Sequence, residues 1–251
     1  MILITGASSG IGAATARAFA REKRPLALWA RRLEKLEALR AECLKLGAPA
    51  VHVASVDVRS ERAIADEVSA NAAVYETAEV LVNNAGLAKG LAPLQSDDPA
   101  NWDEMIDTNL KGLLYVTHAV LPFFLKKNRG HVVNLGSVAG RWTYPRGHVY
   151  CATKAAVRAL NESLRLDLSG HAIRVTEIAP GMVETDFSRV RLEDEAKAKA
   201  VYAGMTPLSG DDIAETIVWA CGRPAHVNVQ EIVIYPTVQA SPTVVSRKPI
   251  P

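Results

Sequence analysis

Cysteine is scarce in this sequence, and the few cysteines present are not spaced for cross-links or metal binding. The 251 residues contain three cysteines, Cys43, Cys151 and Cys221, which lie far apart and form no CxxC pair. An odd number at such spacing argues against a disulfide framework and against a zinc site. The pattern predicts a protein of the reducing cytoplasm with no metal centre.

An excess of charge of one sign and a long apolar run are also missing. The formal net charge is only +2, which gives no electrostatic basis for binding nucleic acid. No run of eighteen apolar residues occurs, and this predicts that the chain has no membrane span. The opening residues, MILITG, enter an apolar stretch directly, which predicts no targeting peptide.

Short apolar runs alternate with helix-like segments along the whole chain. The runs that predict strands lie at 2–4, 26–30, 51–56, 80–82, 132–135, 174–178 and 232–235. Apolar strands separated by helices are typical of a parallel sheet that is covered on both faces. The sequence therefore predicts an α/β protein, with residues 1–251 forming a single doubly wound domain of the Rossmann type and about seven parallel strands.

Four later segments carry more specific expectations. Long helices are predicted at 101–127 and 148–169. The charge-rich segment 182–205 follows a Pro-Gly pair and is predicted to form a helical lid over a substrate. The tail at 242–251 is expected to be loose or pinned by a partner subunit.

A glycine-rich turn follows the first predicted strand. The stretch TGASSGIG places Gly6, Gly10 and Gly12 between that strand and an alanine-rich helix. Glycines there permit a tight turn and let backbone N–H groups approach a pyrophosphate, which the positive end of the helix stabilises. The turn therefore predicts a dinucleotide site, with a ligand-free turn as the alternative.

The end of the second predicted strand favours NADP over NAD. An acidic residue there would accept hydrogen bonds from a ribose 2′-hydroxyl, but the chain reads WARRLEK, with Arg31 and Arg32. Two guanidinium groups suit a 2′-phosphate. The alternative is that both arginines only solvate the start of the next helix, although the helix dipole makes cations unfavourable there.

Several motifs occur together in one order. After the glycine turn come NNAG at 83–86, Asn109, Ser137, and Tyr150 with Lys154. Ser137 and Tyr150 are thirteen residues apart, and a four-residue separation places Tyr150 beside Lys154 on a helix. By these motifs the chain resembles the short-chain dehydrogenase/reductase family over essentially its full length.

The resemblance implies four catalytic residues. Tyr150 would be the general acid/base, and Ser137 would orient the substrate oxygen. Lys154 would hydrogen-bond the nicotinamide ribose and lower the pKa of the Tyr150 phenol, which is about 10 when unperturbed. Asn109 would kink its helix and hold a water that links Lys154 to solvent, with an ordinary helix-surface amide as the alternative.

The resemblance also implies the residues that contact NADP and a homotetrameric assembly through the long helices. Asp57 would contact the adenine amine, and Thr185 the nicotinamide carboxamide. The implied set is Gly6, Ser8, Ser9, Gly10, Ile11, Gly12, Arg31, Arg32, Asp57, Val58, Asn83, Ala85, Gly86, Tyr150, Lys154, Pro180, Gly181, Val183 and Thr185.

Four segments resemble one branch of the family, the NADP-dependent serine and 3-hydroxy acid dehydrogenases. They are NNAGLAKG, WDEMIDTNLKGLLYVTHAVLP, DFSRVR and PAHVNVQEIVIYPT. The likeness implies a short hydroxy acid as the small-molecule substrate, such as L-serine, 3-hydroxyisobutyrate or 3-hydroxypropionate. A broader carbonyl or sulfoacetaldehyde reductase is the alternative, and a non-catalytic dinucleotide-binding regulator is a third.

An acidic substrate needs a cation, because burying an unpaired carboxylate costs several kcal/mol. Arg191, in the predicted lid, is the first candidate, although its charge-rich surroundings also fit a solvated helix face. Further candidates are Arg146 and His148, just before Tyr150, and Arg141. Ser137 and Tyr150 complete the predicted substrate site, and Trp142 and Tyr144 are candidates for its wall.

Overall fold

A parallel sheet of seven strands lies at the centre of the computed structural model, which describes residues 1–247. The strands are β1 Ile2–Thr5, β2 Leu26–Ala30, β3 Val51–Ser55, β4 Val80–Asn83, β5 Gly130–Leu135, β6 Ile173–Pro180 and β7 Glu231–Ile234. Their order is β3-β2-β1-β4-β5-β6-β7, and every neighbouring pair is parallel. The predicted doubly wound fold is confirmed, with strand ends within two residues of those expected.

Helices cover both faces of this sheet. They are α1 Gly10–Arg21, α2 Leu33–Leu46, α3 Glu61–Ala70, α4 Ala72–Tyr75, α5 Pro99–Ile106, α6 Leu113–Lys127, α7 His148–Asp167, α8 Phe187–Leu192, α9 Glu195–Val201 and α10 Gly210–Cys221. Alternate residues of β1 point to opposite faces, so Ile2 and Ile4 pack under α1, α2 and α10 whereas Leu3 packs under α3 and α6. Within residues 1–247, none of the helices has the length and apolar character needed to cross a membrane.

The strand order reverses between β1 and β4. Chain connections leave these two neighbouring strands in opposite directions across the sheet, which opens a crevice beyond their carboxyl ends. The turn after β1 and the loops after β4, β5 and β6 all end at this crevice. The fold therefore positions the predicted motifs at one place.

The helix predicted at 101–127 is interrupted. A π-helical turn, Asp107–Gly112, separates α5 from α6. Asn109 lies in this turn, and its side chain forms hydrogen bonds with both backbone groups of Leu87. A π turn inserts a residue into a helix and so re-aims a side chain, which the apolar pattern of a helix does not reveal. The other long helix, predicted at 148–169, is α7.

The predicted lid segment, 182–205, forms α8 and α9. Residues 242–247 of the tail, expected to be loose or pinned by a partner subunit, form part of a small hairpin that reaches this segment of their own chain through Arg247. Arg247 donates hydrogen bonds to the carbonyls of Val201 and Ala203, at the end of α9. The remainder of the predicted tail, 248–251, lies outside the described residues.

Candidate active site

The glycine turn forms an open cradle at the start of α1. Gly6 and Gly10 have φ of +65° and +54°, a region that favours glycine. A Cβ on Gly12 would lie 2.6 Å from the carbonyl oxygen of Gly6, so only glycine lets the helix pack this close to the turn. Ser9 occupies the N-cap without a capping hydrogen bond from its side chain. The first N–H groups of α1 therefore face an open space that suits a phosphate.

A cleft of about 660 Å³ extends from this cradle to Tyr150 and Arg191. It is large enough for a dinucleotide with a small substrate beside it. The structure brings to this cleft all but two of the residues predicted to contact the cofactor. These are Gly6, Ser8, Ser9, Gly10, Ile11, Arg31, Arg32, Asp57, Val58, Ala85, Gly86, Tyr150, Lys154, Pro180, Gly181, Val183 and Thr185.

The two exceptions are Gly12 and Asn83. Gly12 packs behind the turn, so it shapes the cleft without lining it. Asn83 is the last residue of β4, and its side chain enters the core, where it donates hydrogen bonds to Thr117 and Asn134. Asn84 lines the cleft in its place and donates to the carbonyls of Thr5, at the end of β1, and Gly6. Successive strand residues face opposite ways, and the NNAG motif alone does not show which asparagine faces the ligand.

The two arginines after β2 lie at the end of the cleft where a 2′-phosphate is predicted. Arg32 Nη2 donates to the hydroxyls of Ser8 at 2.9 Å and Ser9 at 3.2 Å. Both acceptors are uncharged, so the charge of the guanidinium is not neutralised by them. Arg31 lines the same end of the cleft and is exposed. These donors fit a phosphorylated ribose.

Asp57, predicted to contact adenine, is held by a neighbouring arginine. Arg59 Nη2 lies 2.6 Å from Asp57 Oδ2, and Arg59 Nε lies 3.0 Å from each carboxylate oxygen. This pairing keeps the pKa of Asp57 below its usual value, so the group is an acceptor throughout the physiological range. Arg59 was not singled out from the sequence.

Tyr150 and Lys154 lie on one face of α7, as predicted. Lys154 Nζ is 6.0 Å from the centre of the Tyr150 ring and donates to the carbonyl of Leu135 at 2.7 Å. The Lys154 side chain is buried, and burial lowers its pKa to about 8. The ammonium group is therefore charged at neutral pH and loses its proton a little above it.

The pKa of Tyr150 differs from the expectation. Burial raises the pKa of this phenol above its usual value, and the hydrogen bond with Ser137 and the charge of Arg191 lower it by less. The expected net lowering of this pKa is absent from this structure, because burial outweighs the groups that lower it. Tyr150 is consequently protonated at neutral pH, the form that donates a proton to a carbonyl oxygen.

Asn109 is a buried residue behind the cleft. Its Nδ2 donates to the carbonyl of Leu87 at 2.8 Å and to Thr153 Oγ1 at 3.1 Å, and its Oδ1 accepts from the N–H of Leu87 at 2.8 Å. A Cβ on Gly86 would lie 3.2 Å from Asn109 Oδ1 and 3.6 Å from Lys154 Nζ, so both groups flank Gly86. The alternative of an ordinary surface amide is wrong, and the predicted role in holding water stays a prediction.

Arg191 projects from α8 into the other end of the cleft. Its Nε donates to the carbonyl of Gly90 at 3.1 Å, and its Nη1 donates to the Tyr144 hydroxyl at 2.8 Å. The guanidinium carbon is 5.7 Å from the centre of the Tyr150 ring. Both partners are uncharged, so the positive charge stays free to bind an anion beside the predicted catalytic phenol.

The other predicted cations do not line the cleft. Arg146 is exposed, with φ of +65°. His148 lies 3.2 Å from the carbonyl of Ala92 and 3.6 Å from Asp97, and so ties the start of α7 to a loop. Arg141 is buried in an ion-pair cluster, 2.8 Å from Glu177 and 2.7 Å from Glu231. The loop before α7 presents Tyr144 to the cleft and leaves Trp142 exposed.

Two residues near the end of the chain also line the cleft, Gln239 and Pro242. Gln239 is only 4% exposed. Neither residue lies in a motif or directly after a strand, so no local pattern in the sequence points to them.

Three comparisons agree with this geometry. A family model described as short chain dehydrogenase matches residues 1–196. Sulfoacetaldehyde reductase 2 of Chromohalobacter salexigens is 47% identical over 96% of this chain and 95% of its own. The NADP-dependent 3-hydroxy acid dehydrogenase of Salmonella typhi is 45% identical over 96% of each chain. A closed form of serine dehydrogenase complexed with NADP+ is 40% identical with a TM-score of 0.92, and the match covers 98% of each chain.

Proposed function

The chain belongs to the short-chain dehydrogenase family, and from that membership we propose that it transfers a hydride between NADP and the oxygen-bearing carbon of a short acidic alcohol or aldehyde. The observation that carries the acidic substrate is the position of Arg191. Its unneutralised guanidinium lies within 6 Å of the Tyr150 ring centre, at the cleft end opposite the phosphate cradle.

NADP is supported by the relatives and by the donors of the cleft. The 3-hydroxy acid dehydrogenase is named as NADP-dependent, and the serine dehydrogenase structure holds NADP+. Arg31 and Arg32 would hold the 2′-phosphate, and the N–H groups at the start of α1 would hold the pyrophosphate. Bound NADP supplies or accepts the hydride.

The residues of this chain would handle the proton. In reduction, the Tyr150 hydroxyl donates its proton to the carbonyl oxygen as the hydride reaches the carbonyl carbon, and an alcohol forms. The resulting phenolate lies on the same helix face as the Lys154 ammonium, which stabilises it. Ser137 would hold the substrate oxygen against Tyr150. In oxidation the proton moves the other way, from the alcohol to the phenolate.

Two classes of anion fit Arg191. A carboxylate of a 3-hydroxy acid such as L-serine, 3-hydroxyisobutyrate or 3-hydroxypropionate would accept two hydrogen bonds from a guanidinium. The sulfonate of sulfoacetaldehyde offers three oxygens to the same group, and relatives of both kinds are similarly identical to this chain, at 47% for a sulfoacetaldehyde reductase and 45% for a 3-hydroxy acid dehydrogenase. In both substrates a short carbon chain separates the carboxylate or sulfonate from the carbon that exchanges the hydride.

A substrate panel tests the proposal. Initial rates of oxidation by NADP+ and NAD+ are measured for 3-hydroxypropionate, L-serine and a neutral hydroxy compound of similar size. Initial rates of reduction by NADPH and NADH are measured for sulfoacetaldehyde and a neutral ketone of similar size. We expect kcat/KM for the best acid to exceed that of its neutral counterpart by at least about tenfold, because a charge-assisted hydrogen bond contributes about 1.5–3 kcal/mol. Equal rates for acids and neutral compounds would contradict the proposal.

We also propose that the protein works in the cytoplasm as a homotetramer. Exposed leucines on the two long helices support an assembly, among them Leu114 and Leu125 on α6 and Leu166 on α7. Light scattering with size-exclusion chromatography measures the mass directly, and a mass near 27 kDa, that of one chain, would contradict the tetramer.

A further inference from the structure

The chain returns to the cleft after β7. Residues 238–247 form a small hairpin, in which Ala240 N donates to the carbonyl of Val244 at 2.9 Å and Ser246 N donates to that of Val238 at 2.8 Å. Gln239 pairs with Val245 in an antiparallel bridge. We refer to residues 238–247 as the C-terminal hairpin. It lines the cleft through its Gln239 and Pro242.

Gln239 binds the start of the lid segment. Its Oε1 accepts a hydrogen bond from Met182 N at 2.8 Å, and its Nε2 donates to the carbonyl of Ser241 at 3.2 Å. A Cβ on Gly181 would lie 2.4 Å from Gln239 Oε1, so the contact requires glycine at that position. The carboxamide thus fixes the backbone where β6 leaves the sheet and turns toward α8.

Arg247 binds the other end of the lid segment. Its guanidinium donates to the carbonyls of Val201, at 3.1 Å, and Ala203, which α9 leaves without helical partners. A cation at this position also interacts favourably with the negative end of the helix dipole. Gly204, with φ of +72°, lies against the Arg247 backbone. The hairpin therefore touches the lid segment at both of its ends.

We infer that the C-terminal hairpin is a strut that sets the position of α8 and α9 over the substrate end of the cleft, with Gln239 and Arg247 as positioning residues. The inference rests on the proposed function, because Arg191 on α8 is the group that would bind the substrate acid. Loss of the strut lets α8 move away from Tyr150, and small displacements of a positioning group have large effects on catalysis. Arg247 does not line the cleft, so we expect its loss to leave the phosphate cradle in place.

The test uses the full chain with Arg247→Met, and with Arg223→Met as the matched control. Arg223 also donates to a helix carbonyl, that of Trp219 at 3.0 Å, but on α10 and outside the cleft. Three readouts are taken: amide hydrogen exchange across 187–204, the dissociation constant of NADPH from its fluorescence, and KM and kcat for the acidic substrate.

In Arg247→Met we expect amide exchange across 187–204 to become at least about fivefold faster and KM to rise about fivefold, because two hydrogen bonds from a charged group are lost. The NADPH dissociation constant should stay within about twofold of the original, and Arg223→Met should change none of the three. Arg247→Lys should restore part of the effect, since an ammonium group also binds terminal helix carbonyls.

Unchanged amide exchange in Arg247→Met would overturn the inference, whatever the substrate. Faster exchange without a change in KM would overturn the role in substrate positioning. Amide exchange needs no substrate, so a failure of the proposed function is distinguished from a failure of the strut.

Discussion

The phosphate-cradle end of the cleft is made from residues that directly follow strands, whereas the Tyr150–Arg191 end joins segments that are distant in the chain. Gly6 and Gly10 follow β1, and Arg31 and Arg32 follow β2. At the other end, Arg191 reaches a carbonyl 101 positions away, and Gln239 reaches an N–H 57 positions away. A local motif therefore describes the first end, and only the folded chain describes the second.

The two ends of the cleft also differ in the chemical groups that they offer to a ligand. The cradle offers backbone N–H groups and arginines to the phosphates of NADP. The substrate end combines a phenol, a serine and one unneutralised guanidinium, the groups that we propose select the substrate. Variants at the two ends should consequently change different kinetic quantities.

Removal of the Tyr150 hydroxyl should have the largest effect. In Tyr150→Phe we expect kcat to fall at least ~100-fold, because general acid–base catalysis contributes 10²–10⁴-fold. Cofactor binding should be retained, since the cradle is untouched, with the NADPH dissociation constant within about twofold. Stopped-flow turnover and NADPH fluorescence check both values. Tyr115→Phe on α6, outside the cleft, is the control. A comparable loss of turnover in this control would contradict a specific catalytic role of the Tyr150 hydroxyl.

Removal of the arginines after β2 should affect only the cradle end. In the double variant Arg31→Ala with Arg32→Ala, we expect kcat/KM with NADP to fall about 10–100-fold, because charge-assisted hydrogen bonds to the 2′-phosphate are lost. The value with NAD should change little. Arg40→Ala is a matched control on the exposed side of α2, where Arg40 pairs with Glu37. Equal losses with both cofactors would contradict a 2′-phosphate site.

The pH dependence should come from the Tyr150–Lys154 pair on α7. Burial lowers the pKa of Lys154 to about 8 and raises that of Tyr150, so below pH 8 the ammonium is charged and the phenol is protonated. We expect kcat/KM for reduction to be level below pH 8 and to fall above it, by up to about tenfold per pH unit, as Lys154 loses its charge.

Lys154→Arg sharpens this prediction, because a guanidinium does not lose its proton in this range. Any activity that the variant retains should lack the fall above pH 8. A variant that keeps the same fall would show that another group titrates. Rates are measured at saturating NADPH so that the pH profile reflects groups at the substrate end of the cleft and not the binding of NADPH.

The sequence predicted the cradle well because its residues act through local backbone geometry. Glycines directly after β1 leave few conformations open to the turn, and the helix that follows adds its own N–H groups. The exception, Asn83, shows the limit of a motif. A shift of one residue along β4 turns the side chain from the cleft into the core, where its Nδ2 donates to Thr117 and Asn134.

The substrate end was harder to predict because its members are selected by packing. Arg141, Arg146 and His148 lie close to Tyr150 in sequence, yet none of them faces the cleft. Arg141 instead forms a buried ion pair with Glu177 on β6. No sequence pattern near either residue predicts this pair. The π turn at Asn109 and the strut formed by Gln239 and Arg247 also depend on packing between distant segments, so the local sequence does not predict them.

The comparison of acidic and neutral substrates in Arg191→Met tests the central claim most directly, with Arg189→Met as its control. Arg189 lies on the same helix, pairs with Asp186 at 3.4 Å and does not line the cleft. We predict that Arg191→Met lowers kcat/KM for the acidic substrate about 100-fold and that for a neutral analogue by less than about threefold, because only the acid loses a charged partner. Arg189→Met should preserve both values. An unchanged ratio of acidic to neutral kcat/KM in Arg191→Met would contradict the account.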